Sequence, residues 1–476
     1  MTPPAGGGAG RRAARGLLLA LLLGLGGCAT GGSPAEATPP PHAVAPADWQ
    51  ALAREARAEA APQPQACPKD LPAGTRCLGG TDRHGAHYLI ALPSAWSGVL
   101  VLHAHGGPTL GPPQKSRAVE DLTRWAITVR AGHAWAGSTF RQGGVAVRAA
   151  AEDTERLRLI FVQHVAQPRR TLLHGQSWGA GVAAIGSEMY TAAAVGGTPP
   201  YDGVLLTSGV LGGGTRSYDF RLDLRVMYQQ LCGNHPRPDE PAYPLWQGLP
   251  KESPLTRAQL VARVNDCLGL NKPVAQRSAE QVRRVAAITA TLRFPESAIQ
   301  GHLAWATWHF QDIAQLRTGG GNVFGNIGAD YRGSGDDSAL NATVARYAAD
   351  PAAVRRFGAD TDPQGRTPVP VLSAHGIGDA VAFVELQSVF RETMQRAGRG
   401  NGLVQVFTDD QEHSYWADPM YVALMQALLQ WVDAGEKPTP QSVAQQCASA
   451  ETAFGPGCRV RPDYRPAPLD SRVTPR

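Results

Sequence analysis

The sequence predicts an α/β protein built on a mostly parallel sheet, and three observations carry that expectation. Short apolar runs alternate with helical patterns through the first half of the chain, the order produced by right-handed βαβ crossovers. One of those runs, Thr171-Leu172-Leu173, leads into Gly175-Gln176-Ser177-Trp178-Gly179 and then a small-residue helical stretch at 180–185. Two later strand-like runs, 368–374 and 403–407, open into loops that carry Asp379 and then His413.

Taken in order, the early strands fall at residues 87–92, 98–104, 134–139, 170–174 and 201–208, with helical patterns at 116–130 and 147–165 between them. Residues 212–359 break the rhythm. They hold helical candidates at 222–231, 256–268, 279–292 and 300–316, then the run Gly319-Gly320-Gly321. We read this stretch as a helical lid inserted between core strands. The rhythm resumes with the strand at 368–374, a helix at 383–396, the strand at 403–407 and a last amphipathic helix through Trp431.

The chemistry of these loops points to one reaction type. A Gly-x-Ser-x-Gly between a strand and a helix is a nucleophile elbow, in which the serine occupies a sharply turned backbone that its flanking glycines accommodate. A nucleophilic serine needs a base and a carboxylate that orients the base. His413 is the candidate base and Asp379 the candidate acid, with Asp409 and Asp410 as alternatives. It also needs donors for the oxyanion. The strand at 98–104 ends in His105-Gly106-Gly107-Pro108, whose Gly106 and Gly107 amides are candidates, together with that of Trp178.

On those residues the chain from about Cys67 onward resembles the α/β-hydrolases. The resemblance implies helices on both faces of the sheet and a Ser177-His413-Asp379 triad at the carboxyl ends of its strands. His105-Gly106-Gly107-Pro108 with Trp178 after the serine also resembles the proline iminopeptidases. The chain departs from that pattern at Thr109, where a glycine is usual, and in its long stretch between elbow and acid.

The amino end predicts a location. Arg11, Arg12 and Arg15 precede the apolar run 17–23 and then Leu25-Gly26-Gly27-Cys28, which is similar to a bacterial lipoprotein signal ending in a lipobox. Cleavage before Cys28 and its acylation would anchor the chain to a membrane, by default the outer membrane facing the periplasm. The expected divisions are residues 1–27 as signal peptide, 28–64 as a disordered Ala/Pro-rich tether, 65–211 and 360–476 as catalytic core, and 212–359 as lid.

Six cysteines remain besides Cys28, in three sequence-local pairs: Cys67 with Cys77, Cys232 with Cys267, and Cys447 with Cys458. In an oxidising compartment these read as disulfides. None has zinc spacing, so no metal is expected. The net charge of +5 includes three positives in the leader, which leaves no footprint for nucleic acid.

Trp305, Trp308 and Phe310 are candidates for an aromatic substrate wall, with core packing as the plainer alternative. Tyr331 to Asp337 reads as a solvated turn rather than a calcium loop, Arg141 as a pocket residue or the partner of a carboxylate, and His174 and His375 as backbone-orienting. The sequence thus predicts a serine hydrolase acting on a small carboxylic ester through an acyl-enzyme, without a cofactor. An aminopeptidase would need an acid for the free amine, such as Glu252, Glu280 or Glu296. A non-catalytic binding lipoprotein is the reading from another class.

Overall fold

The strands predicted from short apolar runs are buried on both faces, as parallel strands covered by helices must be. A computed structural model describes residues 46–476, with side chains from residue 48 onward. The signal peptide, Cys28 and the first part of the expected tether lie outside the described residues. Nine strands form one sheet: β1 Gln63–Pro64, β2 Arg76–Thr81, β3 His87–Leu92, β4 Val99–Ala104, β5 Ala134–Ser138, β6 Arg170–Gln176, β7 Gly203–Thr207, β8 Val371–Gly376 and β9 Leu403–Thr408. Their order is β1-β2-β3-β5-β4-β6-β7-β8-β9. The first three pairings, from β1 through β2 and β3 to β5, are antiparallel. Every pairing from β5 to β9 is parallel. This is the α/β-hydrolase fold that the resemblance implied.

Alternation along each strand divides the core in two. Leu100, Leu102 and Ala104 of β4 face one side, where helices Val147–His164 and Trp178–Met189 and the insertion pack. Val99 and Val101 face the other, against Leu122, Trp125 and the helix Asp418–Ala434. The pattern expected at 116–130 is two helices, Lys115–Arg124 and Ala126–Arg130, broken at Trp125. Trp125 is itself buried among Tyr415 and Tyr421.

The insertion contains helices Phe220–Cys232, Arg257–Leu268, Ala279–Leu292 and Glu296–Asp312. Thr256 and Ser278 start two of them with capping boxes completed by Gln259 and Gln281. Leu222, Leu303 and Phe310 join the same apolar cluster as Leu206 of β7, so the insertion shares the core of the sheet. Its expected end at residue 359 is corrected, because Asp350 caps a helix, Pro351–Thr361, that continues past that point. All three expected disulfides are formed: Cys67–Cys77, Cys232–Cys267 and Cys447–Cys458.

The expected tether also needs correction over its described part. Residues Pro46–Arg57 form a helix that buries Leu52, Ala53 and Ala56, and β1 joins the sheet edge. The alanine-rich composition that suggested a tether conceals an apolar stripe at helical spacing. At the opposite edge, Val460 bridges Thr408 of β9, flanked by Asp409 N–H to Arg459 O at 2.8 Å and Arg461 N–H to Phe407 O at 2.8 Å. A soluble form beginning at residue 65 should be less stable than one beginning at 46 by at least about 2 kcal/mol, the worth of burying one leucine with its neighbours. Urea midpoints compared at equal slope measure this, and equal midpoints would restore the tether reading.

Candidate active site

Ser177 stands between β6 and the helix Trp178–Met189 with φ of 56° and ψ of −121°. A non-glycine residue at positive φ stores about 1–3 kcal/mol of strain. Its neighbours make that turn possible. A Cβ on Gly175 would lie 2.2 Å from the Gly179 carbonyl oxygen, and one on Gly179 would lie 2.0 Å from that of Ala104. Only hydrogen fits at either place. The turn is fastened by Ser177 N–H to Thr207 O at 2.9 Å and Val210 N–H to Ser177 O at 3.0 Å.

Parallel pairing of β8 with β9 brings their exit loops side by side. Gly378 N–H donates to Asp410 O at 3.0 Å and Ile377 N–H to Thr408 O at 2.9 Å, locking the loops together. His413 Nε2 lies 2.7 Å from Ser177 Oγ, and its Nδ1 lies 2.7 Å from Asp379 Oδ2. Gln176 Nε2 donates to the His413 carbonyl at 3.2 Å. Asp409 pairs instead with Arg461, and Asp410 with Arg459 and the Thr408 hydroxyl. Of the three candidate acids, Asp379 is the one beside the imidazole.

Burial alone would raise the Asp379 carboxyl, but hydrogen bonds from His375 and His413 outweigh it and hold the group well below the usual range. Its Oδ1 also accepts from Val381 N–H at 2.8 Å and Ala382 N–H at 3.0 Å. His375 is oriented in turn. Gln387 Nε2 approaches its Nδ1 at 2.9 Å, while the Gln387 carbonyl oxygen takes the Ser373 hydroxyl at 2.5 Å and Gln405 Nε2 at 3.2 Å. With its amide so assigned, Gln387 donates to Nδ1, and His375 Nε2–H is left to donate to Ala382 O at 2.8 Å, with Asp379 Oδ2 at 3.4 Å. An ionised Asp379 then favours the His413 tautomer with hydrogen on Nδ1, so that Nε2 accepts from the serine hydroxyl.

A cavity of about 270 Å³ lies over Ser177, lined by Gly106, Gly107, Trp178, Tyr218, Arg221 and Trp305 among others. That volume falls just below the usual range for a ligand site, about 300–1,000 Å³. Gly107 has φ of +72°, and Trp178 N–H belongs to the first helical turn, where no earlier helical carbonyl can reach it. The candidate oxyanion loop is tied down by Arg117, which donates to Gly106 O at 2.7 Å, and by Gly144 N–H to Thr109 O at 2.9 Å. Thr109, the departure noted in the sequence, therefore uses its backbone to hold the loop.

The helix Glu296–Asp312 straps both loops. His302 donates to Ala380 O, beside Asp379, at 2.8 Å, and His309 to Pro108 O, beside Gly106 and Gly107, at 2.9 Å. They are seven residues apart, two turns along one face. Burial pushes them down to about 3 and about 4 respectively, so both are neutral donors near pH 7.

Other expected residues divide. Trp305 lines the cavity, tilted against Tyr218 at 4.3 Å and stacked on His309 at 4.7 Å. Trp308 and Phe310 are corrected: Trp308 turns to Arg257, 4.6 Å above its ring, and Phe310 is fully buried against Phe324. At 3.6 residues per turn Phe310 lies about 140° round the helix from Trp305, whereas Trp308 is about 60° away and is turned from the cavity by its contact with Arg257. Arg141 pairs with Asp153 and Glu152. His174 bonds the side chains of His103 and Thr207 rather than backbone. Glu280 and Glu296 pair with Arg284 and Arg277, and Glu252 lines a different cleft. Asp337 closes the 331–337 turn by accepting from Gly333 and Ser334. Sequence reasoning passed over Arg221, Tyr218, His302 and His309. Only the seven-residue histidine spacing was a signal.

No protein-family model matches the chain, and no curated protein does. The solved structures to which it is similar include the rice cell wall degrading esterase LipA from Xanthomonas oryzae, at 11% identity over 76% of this chain and 88% of that one, with a TM-score of 0.34. Feruloyl esterase B from Aspergillus oryzae is similar at 13% identity over 80% and 87%, with a TM-score of 0.38. Tannin acyl hydrolase from Aspergillus niger is similar at 11% identity over 80% and 83%, with a TM-score of 0.40. These values speak to neither substrate nor reaction.

The strap has a pH dependence. Because His302 and His309 have folded values below the ordinary 6.5, their contribution is complete above 6.5 and lost as the unfolded chain takes up protons at lower pH. Asp121, Asp153 and Glu188, pushed up by burial to about 6, 6 and 7, act in the opposite sense over the same range. The readout is therefore a difference. The stability gap between wild type and the His302→Gln/His309→Gln variant should shrink from pH 7 to pH 5, by on the order of 1 kcal/mol per unit for each histidine. A pH-independent gap in urea midpoints would contradict it.

Proposed function

We propose that the protein is a serine hydrolase cleaving small carboxylic esters through an acyl-enzyme. The observation that carries this reading is the continuous chain Ser177 Oγ, His413, Asp379, with 2.7 Å at each step, standing at the floor of a cavity. Ser177 attacks the ester carbonyl while His413 Nε2 takes its proton. Asp379 stabilises the imidazolium without taking the proton itself. The negative oxygen of the tetrahedral intermediate is met by the amides of Trp178 and Gly107, each such donor being worth about 2.7–4 kcal/mol in the barrier. His413 then protonates the departing alcohol, and water releases the acyl group by the same steps in reverse.

The aminopeptidase alternative loses support here. A free ammonium needs a carboxylate, and the cavity lining carries Arg117, Arg124 and Arg221 but no Asp or Glu among the described residues. We further propose that the enzyme is held by an acylated Cys28 on the periplasmic side of the outer membrane. Three disulfides support an oxidising compartment.

A fluorophosphonate probe should label the wild-type protein and not Ser177→Ala, with both unfolding cooperatively; label persisting in the variant would remove Ser177 from its role. Against p-nitrophenyl esters, Asp379→Asn should lose on the order of 10⁴ in kcat. Hydrolysis of proline p-nitroanilide in preference to those esters would favour the aminopeptidase. Cys28→Ser should move the protein from the membrane to the soluble fraction.

A further inference from the structure

The cavity contains a charge that the hydrolytic machinery leaves unused. Arg221 lies in the first turn of helix Phe220–Cys232, is 5% exposed, and lines the cavity together with Ser177. Its guanidinium carbon sits 4.5 Å from the ring centre of Trp305 and 4.6 Å from that of Phe220. Nη1 donates to Ser217 O at 3.2 Å, and Nε is buried with no acceptor. Among the described residues no carboxylate pairs with it. Asp219, two positions earlier, is taken by Arg476 at 3.0 Å. Burial pushes the guanidinium down to about 10, which leaves it charged near pH 7.

A buried cation is ordinarily paired, because taking it out of water costs several kcal/mol. Ring faces recover part of that cost. Arg117, on the same cavity, shows the ordinary arrangement, paired with Asp121 at 2.9 Å. Arg124 also lines the cavity, is exposed, and has no ion-pair partner among the described residues. The lining's arginines have no Asp or Glu beside them in the cavity, and the deepest, Arg221, has no ion-pair partner among the described residues, Asp219 acting on it only as a nearby charge. A substrate carboxylate matches the planar fork of guanidinium donors and would complete it.

Building on the serine hydrolase reading, we propose that Arg221, assisted by Arg124, recognises a free carboxylate on the substrate, so that the esters cleaved carry an anionic group beside the scissile bond. Both sides of the ester are open to that group.

The full chain in detergent tests this with two pairs: mono-p-nitrophenyl glutarate against p-nitrophenyl pentanoate, and the acetate of 3-hydroxybenzoate against that of 3-hydroxybenzamide. The first pair places the charge on the acyl side, the second on the leaving group. In at least one pair the anionic ester should be preferred by about 30-fold or more in kcat/KM, mostly through KM. Arg221→Met should bring that ratio to about one, and Arg221→Lys should keep part of it. Fluorophosphonate labelling of each variant checks that Ser177 is still in place. If Arg221→Met is not labelled, competitive inhibition of the wild type by glutarate or benzoate, weakened in Arg124→Gln, supports the proposal, and absence of inhibition overturns it. Ratios near one in the wild type for both pairs, or a preference unchanged in Arg221→Met, overturn this inference alone. Absence of both labelling and hydrolysis in the wild type overturns the hydrolase reading beneath it.

Discussion

A carboxylate kept charged inside the protein is the constraint around which the rest is arranged. Asp379 is almost fully buried, where ionisation is costly, yet it has hydrogen bonds from two histidines and two backbone amides. If it took up a proton, His413 would lose both its anchor and its tautomer. Behind it, Ser373 and Gln405 fix the amide of Gln387, Gln387 fixes His375, and His375 faces the acid. Such polar chains are favourable only when every member is satisfied, and this one runs from β9 to the serine with its longest step, 3.4 Å, between His375 and Asp379.

The insertion does more than cover the serine. The loop carrying Gly106 and Gly107 leaves β4 and the loop carrying Asp379 leaves β8, three strands away in the sheet. One helix holds a carbonyl of each, through His302 and His309. The distance between the Gly106-Gly107 loop and the Ser177-His413-Asp379 cluster is thus set by a rigid rod as well as by the sheet. Trp305 stacks on one of those histidines and tilts against Tyr218, which couples the cavity wall to the same rod.

That Ser177, Asp379 and His413 would meet was legible in the sequence because the chemistry expected of them demands particular residue types in a particular order after particular strands. The parallel strands were legible for a similar reason, since burial on both faces leaves uninterrupted apolar runs. Helix Pro46–Arg57 was not, because its buried face is mostly alanine and its composition resembles a tether. Trp308 and Phe310 were misread because nearness in sequence on a helix says little about direction. Arg221 had no signature at all: an arginine at a helix start reads as solvated until three rings are seen to enclose it.

The way the sheet ends has a consequence of its own. An uncovered border strand offers a row of free amides and carbonyls to any other chain. Here β9 is shielded by the short segment around Val460, and that segment is stapled two residues earlier by Cys458 to Cys447. Opening the staple would leave that cover on its backbone hydrogen bonds and on the Arg459 and Arg461 ion pairs alone, so reduction would loosen the shield over the strand that carries His413's loop.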